Sequence, residues 1–303
     1  MKDFPAYIKT KSEGRLDEIL EALESKLNPC VLCPRRCRAN RYAGDLGYCR
    51  APYDIYVSSA FAHFGEEPPL VGTYGSGTIF FTHCNLRCIF CQNYDISLFG
   101  EGSRYSYMAL AKTMLELQKR GCHNINLVTP THYVPQIVKA LNIAIDEGLN
   151  IPIVYNCGGY ESLEVIKLLD GIVDIYMPDI KFLEKGLSKR YCKAENYPDV
   201  VREVVKEMQR QVGDLEMDAR GIALRGLIIR HLVMPDSGEN TKKVLKFIKD
   251  EISENTFVNI MAQYHPCLGT NEFLELSRRI TNKEFMDALE YARGLGLKRA
   301  SNH

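Results

Sequence analysis

Six short apolar runs rich in isoleucine and valine constrain this fold more than any other feature. They read TIFF (78–81), INLVT (125–129), IPIVYN (151–156), VDIYM (173–177), GLIIRHLV (226–233) and FVNIM (257–261). Runs without polar alternation suit strands buried on both faces of a parallel sheet. Helical patterns fill most gaps: SYMALAKTMLELQKRG closes on Gly121 and VPQIVKALNIAIDEG on Gly148, each a C-cap glycine. SLEVIKLLD, DVVREVVKEMQRQV and NTKKVLKFIKDEI continue the alternation. Right-handed crossovers then predict an α/β fold, a partial (β/α)6 barrel short of the usual eight strands. A doubly wound open sheet is the structural alternative. In a parallel barrel the chemistry belongs at the C-terminal ends of the strands.

The chain divides into two expected blocks. Residues 1–57 read as a small cysteine-rich extension, an amphipathic helix followed by CVLCPRRCRANRYAGDLGYCR. Residues 58–303 read as the barrel core with a C-terminal helix, entered through a loop-rich stretch, 58–77, that contains GEEPPLVGTYGSG. Lys plus Arg balances Asp plus Glu at 38 each, which argues against general nucleic-acid binding. No apolar run approaches the roughly 18 residues of a membrane span. Eleven cysteines behind a charged N-terminus that does not read as a signal peptide point to metal ligation in the reducing cytoplasm.

The stretch THCNLRCIFCQN follows the first run and holds Cys84, Cys88 and Cys91. Three soft thiolates suit zinc or an iron–sulfur cluster but fall one short of a closed tetrahedral site. His83 and Cys122 are conceivable fourth zinc ligands; a four-iron cluster on three thiolates instead leaves one iron open. Cys30, Cys33, Cys37 and Cys49 make a full set of four, suited to structural zinc or an auxiliary iron–sulfur cluster. Cys122, Cys157, Cys192 and Cys267 read as small buried hydrophobes, with Cys157 and Cys267 at strand ends. Asp179 and Lys181 lie two apart and share a face, as a cofactor contact or a surface ion pair. Arg230, among apolar residues, needs an anionic partner, either a ligand carboxylate or Asp179 or Asp174. Asn156 ends the third run, and Gly158–Gly159 after it allow a close ligand approach or a tight turn.

The pattern CxxxCxxC, with Phe90 before the third cysteine, resembles the radical S-adenosylmethionine (SAM) superfamily. GTYGSGTIFFTHCNLRCIFCQN resembles pyruvate formate-lyase activating enzymes in particular. VDIYMPDIKFL, IIRHLVMP and MAQYHPCLG follow in that family's order across roughly residues 72–270. A branch of these homologues carries an N-terminal CxLCPRxC block like that of residues 30–37. The resemblance implies a [4Fe-4S] cluster on Cys84, Cys88 and Cys91 and SAM chelating its open iron. Asn156, Asp179, Lys181, Arg230 and His265 become candidate SAM contacts, with Lys181 and Arg230 toward the carboxylate and His265 toward the adenosine. It further implies reductive cleavage to a 5′-deoxyadenosyl radical, with flavodoxin or ferredoxin as electron donor. The hydrogen donor would be a glycyl-radical enzyme partner; a small molecule or peptide is the alternative substrate. A non-catalytic zinc or iron–sulfur binding module is the rival class. Where the family has Gly-Gly-Glu this chain has LVTPTHYVP, with no carboxylate, so the Thr129 and Thr131 hydroxyls or backbone carbonyls are the expected substitutes, and His132 and Tyr133 are expected at the mouth.

Overall fold

The computed structural model describes residues 4–267 and 269–301. The chain begins with α1 (Ala6–Ser12) and α2 (Arg15–Glu24). The single amphipathic helix expected here is broken at Gly14, whose φ of 75° only a residue without a Cβ adopts readily. Leu16, Ile19 and Leu23 form the buried stripe of α2. The Tyr7 hydroxyl donates to the Ile151 carbonyl (2.8 Å) and the Thr10 hydroxyl to the Gly171 carbonyl (2.6 Å). Asp174 accepts the amides of Ala6 (2.8 Å) and Ile153 (3.0 Å). These bonds fasten the N-terminal helices over the N-terminal ends of the barrel strands.

The elements then run β1 (Ile55–His63), α3 (Pro68–Val71), β2 (Ser76–Phe81), β3 (Ser103–Tyr105), α4 (Tyr107–Lys119), β4 (Ile125–Val128), α5 (Val134–Asp146), β5 (Ile153–Cys157) and α6 (Leu163–Leu168). After them come β6 (Ile175–Pro178), α7 (Lys185–Cys192), α8 (Tyr197–Val212), β7 (Glu216–Met217), β8 (Ala223–Leu232), α9 (Gly238–Phe247), β9 (Phe257–Met261), α10 (Asn282–Gly294) and β10 (Ala300–Ser301). The sheet order is β10-β9-β8-β6-β5-β4-β2-β1-β3, with β7 alongside β8. β2, β4, β5, β6, β8 and β9 are joined by parallel pairings, and they are the six apolar runs. The fold is thus the α/β partial barrel. Every residue of β5, β6 and β9 is buried, which explains the missing alternation. Burying each such Ile, Val or Leu side chain contributes about 1.5–3 kcal/mol.

The loop-rich stretch 58–77 also carries strand, because residues through His63 continue β1, which pairs antiparallel with β2 and briefly with β3. β1 therefore straddles the 57/58 division. Leu27 and Leu32 of the extension join the same hydrophobic core as Ile55, Ile79 and Leu127. Beyond Val57 the strand is only half-covered and ends in a Gly- and Pro-rich connection, so its pattern carries no buried-strand signal.

Candidate active site at the open end of the barrel

β2 stops at Phe81 and the chain turns sharply, with His83 and Arg87 both at left-handed φ (70° and 56°). The turn gathers three thiols around one space. The Cys84 sulfur accepts the Leu86 amide (3.4 Å), the Cys91 sulfur accepts the Ser97 hydroxyl (3.1 Å), and the Cys88 sulfur lies 3.3 Å from that of Cys192. Burial pushes the Cys84 thiol up to about 12 and raises that of Cys91. The neighbouring Cys192 thiol, then burial, raise that of Cys88. Thiolates at these positions need a cationic partner at the sulfur, which a metal centre supplies.

Across the same space, strand ends present a charged network. Arg230 of β8 donates from Nε to Asp179 (2.9 Å) and from Nη2 to the Asn156 side chain (2.7 Å). Lys181 reaches Asp179 at 2.6 Å. Of the two aspartates considered for Arg230, Asp179 is the one paired with it, while Asp174 faces the other end of the barrel. Burial drives the Asp179 carboxyl upward, but the Arg230 and Lys181 charges outweigh it and hold the group at about 2. Neither an exposed ion pair nor an unpartnered arginine describes this arrangement. Sequence reasoning missed two further members. Glu66, in the connection after β1, is buried 3.6 Å from Arg230. The Tyr197 hydroxyl lies at 3.0 and 2.9 Å from the Gly158 and Asp179 carbonyls and accepts the Lys181 amide at 3.0 Å.

The two glycines after β5 serve packing. A Cβ on Gly158 would sit 2.8 Å from the Leu86 side chain of the cysteine loop. One on Gly159, at φ 73°, would sit 2.5 Å from the Asp179 carbonyl. The tight-turn reading is therefore sufficient, and the turn locks β5, β6 and the cysteine loop together.

These elements enclose a cavity of about 250 Å³ lined by Cys84, Cys88, Cys91, Asn156, Asp179, Lys181 and Arg230, with Thr129 and Cys157 on the wall. Asp179 is the single carboxylate among the described lining residues. His265 is not among the described lining residues; Gln263 is, and the His265 ring lies 3.3 Å from the Gln263 carbonyl. His132 and Tyr133 are corrected outright, being buried in the wall rather than placed at the mouth. His132 Nε2 meets the Thr82 carbonyl at 2.7 Å, and burial lowers its pKa to about 3, so the ring is neutral. Thr131 is engaged with buried Glu161 (2.9 Å). Cys192, expected to be filler, touches a site cysteine; Cys267 packs its sulfur 3.5 Å from the Cys91 carbonyl. Cys122 contacts the Tyr74 carbonyl behind β2 and has no part in the cavity.

The donor set discriminates between candidate groups. A single zinc held by thiolates at about 2.3 Å needs its sulfurs within about 3.8 Å of one another. Among the described residues no three His, Cys, Asp or Glu side chains are gathered for one ion. Three soft sulfurs spread around one side of a cavity fit a larger iron–sulfur core, and the cations and amide opposite fit a polar, anionic co-ligand. Fold and site together define an α/β partial-barrel protein with an open three-thiol centre.

A model of the radical SAM superfamily matches residues 78–216. An uncharacterized protein of Methanocaldococcus jannaschii is 34% identical over 287 residues, covering 91% of this chain and 78% of the relative. A second from the same organism is 25% identical over 290 residues, covering 87% and 80%. The SAM-bound crystal structure of Streptococcus suis SuiB shares the fold, with a TM-score of 0.52 and 13% identity over 73% of this chain; the chain spans about half (48%) of that protein. The chain carries a radical SAM superfamily domain over residues 78–216.

Proposed function

We propose that the protein binds a [4Fe-4S] cluster on Cys84, Cys88 and Cys91 and SAM in the adjoining cavity. The observation that carries this is a single cavity wall shared by three open thiols and the Asn156–Asp179–Lys181–Arg230 network. When bound, cluster and cofactor supply one-electron cleavage of SAM to methionine and a 5′-deoxyadenosyl radical. The chain's own residues hold and orient. Asp179 neutralises Lys181 and Arg230 in part, and a cofactor carboxylate shares the remaining positive charge. Leu86 seated on Gly158 keeps the cysteine loop in register with the end of β5.

The substrate reading follows the resemblance to pyruvate formate-lyase activating enzymes: a glycine Cα–H in a glycyl-radical enzyme partner. The cavity lies at the lower limit of small-molecule sites, about 300 Å³, so the cofactor fills it and a substrate must reach in from the rim. A polypeptide loop does this readily. Flavodoxin or ferredoxin is the proposed electron donor and the cytoplasm the proposed compartment; no helix among the described residues is long and apolar enough to cross a membrane. Cys30, Cys33, Cys37 and Cys49 are proposed to hold a second metal centre, zinc or iron–sulfur. Reduced protein incubated with SAM and candidate partners carrying deuterated glycine should move label into 5′-deoxyadenosine. Label arriving only from a small metabolite would assign a different substrate class.

A further inference from the structure

The second thiol set rests on the proposed reading of Cys30, Cys33, Cys37 and Cys49 as a metal centre, and its geometry goes further. Three backbone devices bring it together. Cys30 donates its amide to the Ala39 carbonyl (2.9 Å) and accepts the Arg38 amide (3.0 Å), which folds residues 30 and 38–39 side by side. Turns close at Cys33–Arg36 and Gly47–Arg50. The Cys37 sulfur rests against Gly47, where a Cβ would sit 2.3 Å away, so the first three cysteines meet the segment that carries the fourth. Backbone amides two residues ahead face three of the sulfurs: Leu32 to Cys30, Arg35 to Cys33 and Ala51 to Cys49, the last at 3.5 Å. Leu86 faces Cys84 in the same way. The amide alone does not mark a ligand, since Cys157 and Cys267 have one as well. Convergence of four thiols, three of them faced in this way, does.

The amide-to-sulfur bonding seen at Cys84 is thus repeated at three of these four thiols, and hydrogen bonds of this kind set the properties of iron–sulfur cores.

Arg35 joins the two. Its amide faces Cys33, while its side chain crosses to the barrel. The guanidinium donates to the carbonyls of Asn85 (2.9 Å) and Leu86 (3.3 Å), inside the Cys84–Cys88 segment, and to those of Cys192 (3.1 Å) and Lys193 at the end of α7. The Tyr48 ring, one residue before Cys49, stacks on it at 3.9 Å. A planar fork suits several carbonyls at once in a way an ammonium does not. Every carbonyl that Arg35 bonds on the barrel side belongs to the segment carrying Cys84 and Cys88 or to the helix end that touches Cys88, and the guanidinium also lies 5.1 Å over the Tyr160 ring.

We propose that Cys30, Cys33, Cys37 and Cys49 ligate a second iron–sulfur cluster, and that Arg35 is a positioning residue through which this centre holds the barrel's cysteine loop in place. Anaerobically reconstituted full-length protein should then carry about eight irons and no zinc, and Cys37→Ser, at an exposed position, should lose about half of them. Cys88→Ala should lose the other half. About four irons with about one zinc would overturn the cluster and leave a second metal centre standing. About four irons, no zinc and no loss in Cys37→Ser would overturn that reading as well, while loss in Cys88→Ala would keep the barrel cluster. Arg35→Gln should retain its iron but shift the EPR g values and reduction potential of the barrel cluster in the otherwise unaltered protein, where the response to SAM distinguishes that cluster's signal from the second. Arg35→Lys, which preserves charge without the fork, should shift them similarly. Unchanged spectra and potential in both variants would overturn the positioning role.

Discussion

Two aspartates bracket strand β6, five residues apart, in opposite electrostatic states. Asp174 precedes the strand at the closed end of the barrel; its carboxyl accepts the Ala6 and Ile153 amides and feels Arg225 only as a weaker influence, so burial pushes it up to about 7. Asp179 follows the strand at the open end, between Lys181 and Arg230, and stays ionised with a pKa of about 2. Asp174 is fully buried, and Asp179 largely so, with 18% of its side chain exposed. The difference lies in the partners: amide dipoles satisfy a carboxyl, while full cations keep it a carboxylate. The closed end is therefore built as a seal and the open end as a charged receptor.

Removing the anion from the open end should have the largest effect. Asp179→Ala leaves Lys181 and Arg230 buried without their shared partner, a change expected to cost about 3–5 kcal/mol in denaturant unfolding. SAM affinity should fall about tenfold or more, read by equilibrium dialysis. Stability intact within error would mean that Glu66 suffices for Arg230 and that the contrast between the two ends is overstated.

At the closed end the test is a pH slope. Asp174 in the fold binds a proton up to about pH 7, whereas the unfolded chain releases it near the usual 3.8. Its contribution is thus complete below about pH 4 and is lost as pH rises toward 7, at about 1.4 kcal/mol per pKa unit. Asp179 runs the other way, with its contribution present above 3.8 and lost as pH falls toward 2. His132, neutral in the fold, opposes the Asp174 slope below pH 6.5, so the informative quantity is a difference. Stability of the wild type relative to Asp174→Asn should decline from pH 4 to 7. A flat difference would show that the Asp174 carboxyl is already ionised in the fold.

A smaller effect is expected where the loop meets the barrel. Gly158→Ala presses on Leu86 and should cost about 1–3 kcal/mol, with faster iron loss to a chelator than in wild type. Unchanged iron retention would separate loop packing from cluster holding. At the exposed Lys283–Asp287 pair on α10, Lys283→Ala should leave both the unfolding midpoint and iron retention unmoved.

The six parallel strands were legible because burial on both faces leaves continuous Ile/Val runs, and the glycine-ended helices between them confirmed the spacing. β1 was not, because Ser58–Ala60 are half-exposed and its core face ends at Val57. Cys84, Cys88 and Cys91, and the pairing of Arg230 with Asp179, could be reached from spacing and from the improbability of a lone buried arginine. Glu66 could not: it lies in a Pro-rich connection and reaches Arg230 only through the tertiary path of β1. His132 misled because a loop position at a strand's C-terminal end says nothing about which way the ring turns. Arg35 sits in a run of arginines that reads as solvated charge, and four backbone carbonyls from distant segments leave no trace in sequence.

The central claim is that the three barrel thiols hold a cluster with an open iron beside a SAM-binding network. Its most direct measurement is EPR of the dithionite-reduced Cys37→Ser protein with and without SAM, followed by chromatography of the products. The cluster signal should shift its g values when SAM is added, with 5′-deoxyadenosine formed, and both should be lost when Cys88→Ala is introduced. A signal indifferent to SAM, with no 5′-deoxyadenosine formed, would contradict it.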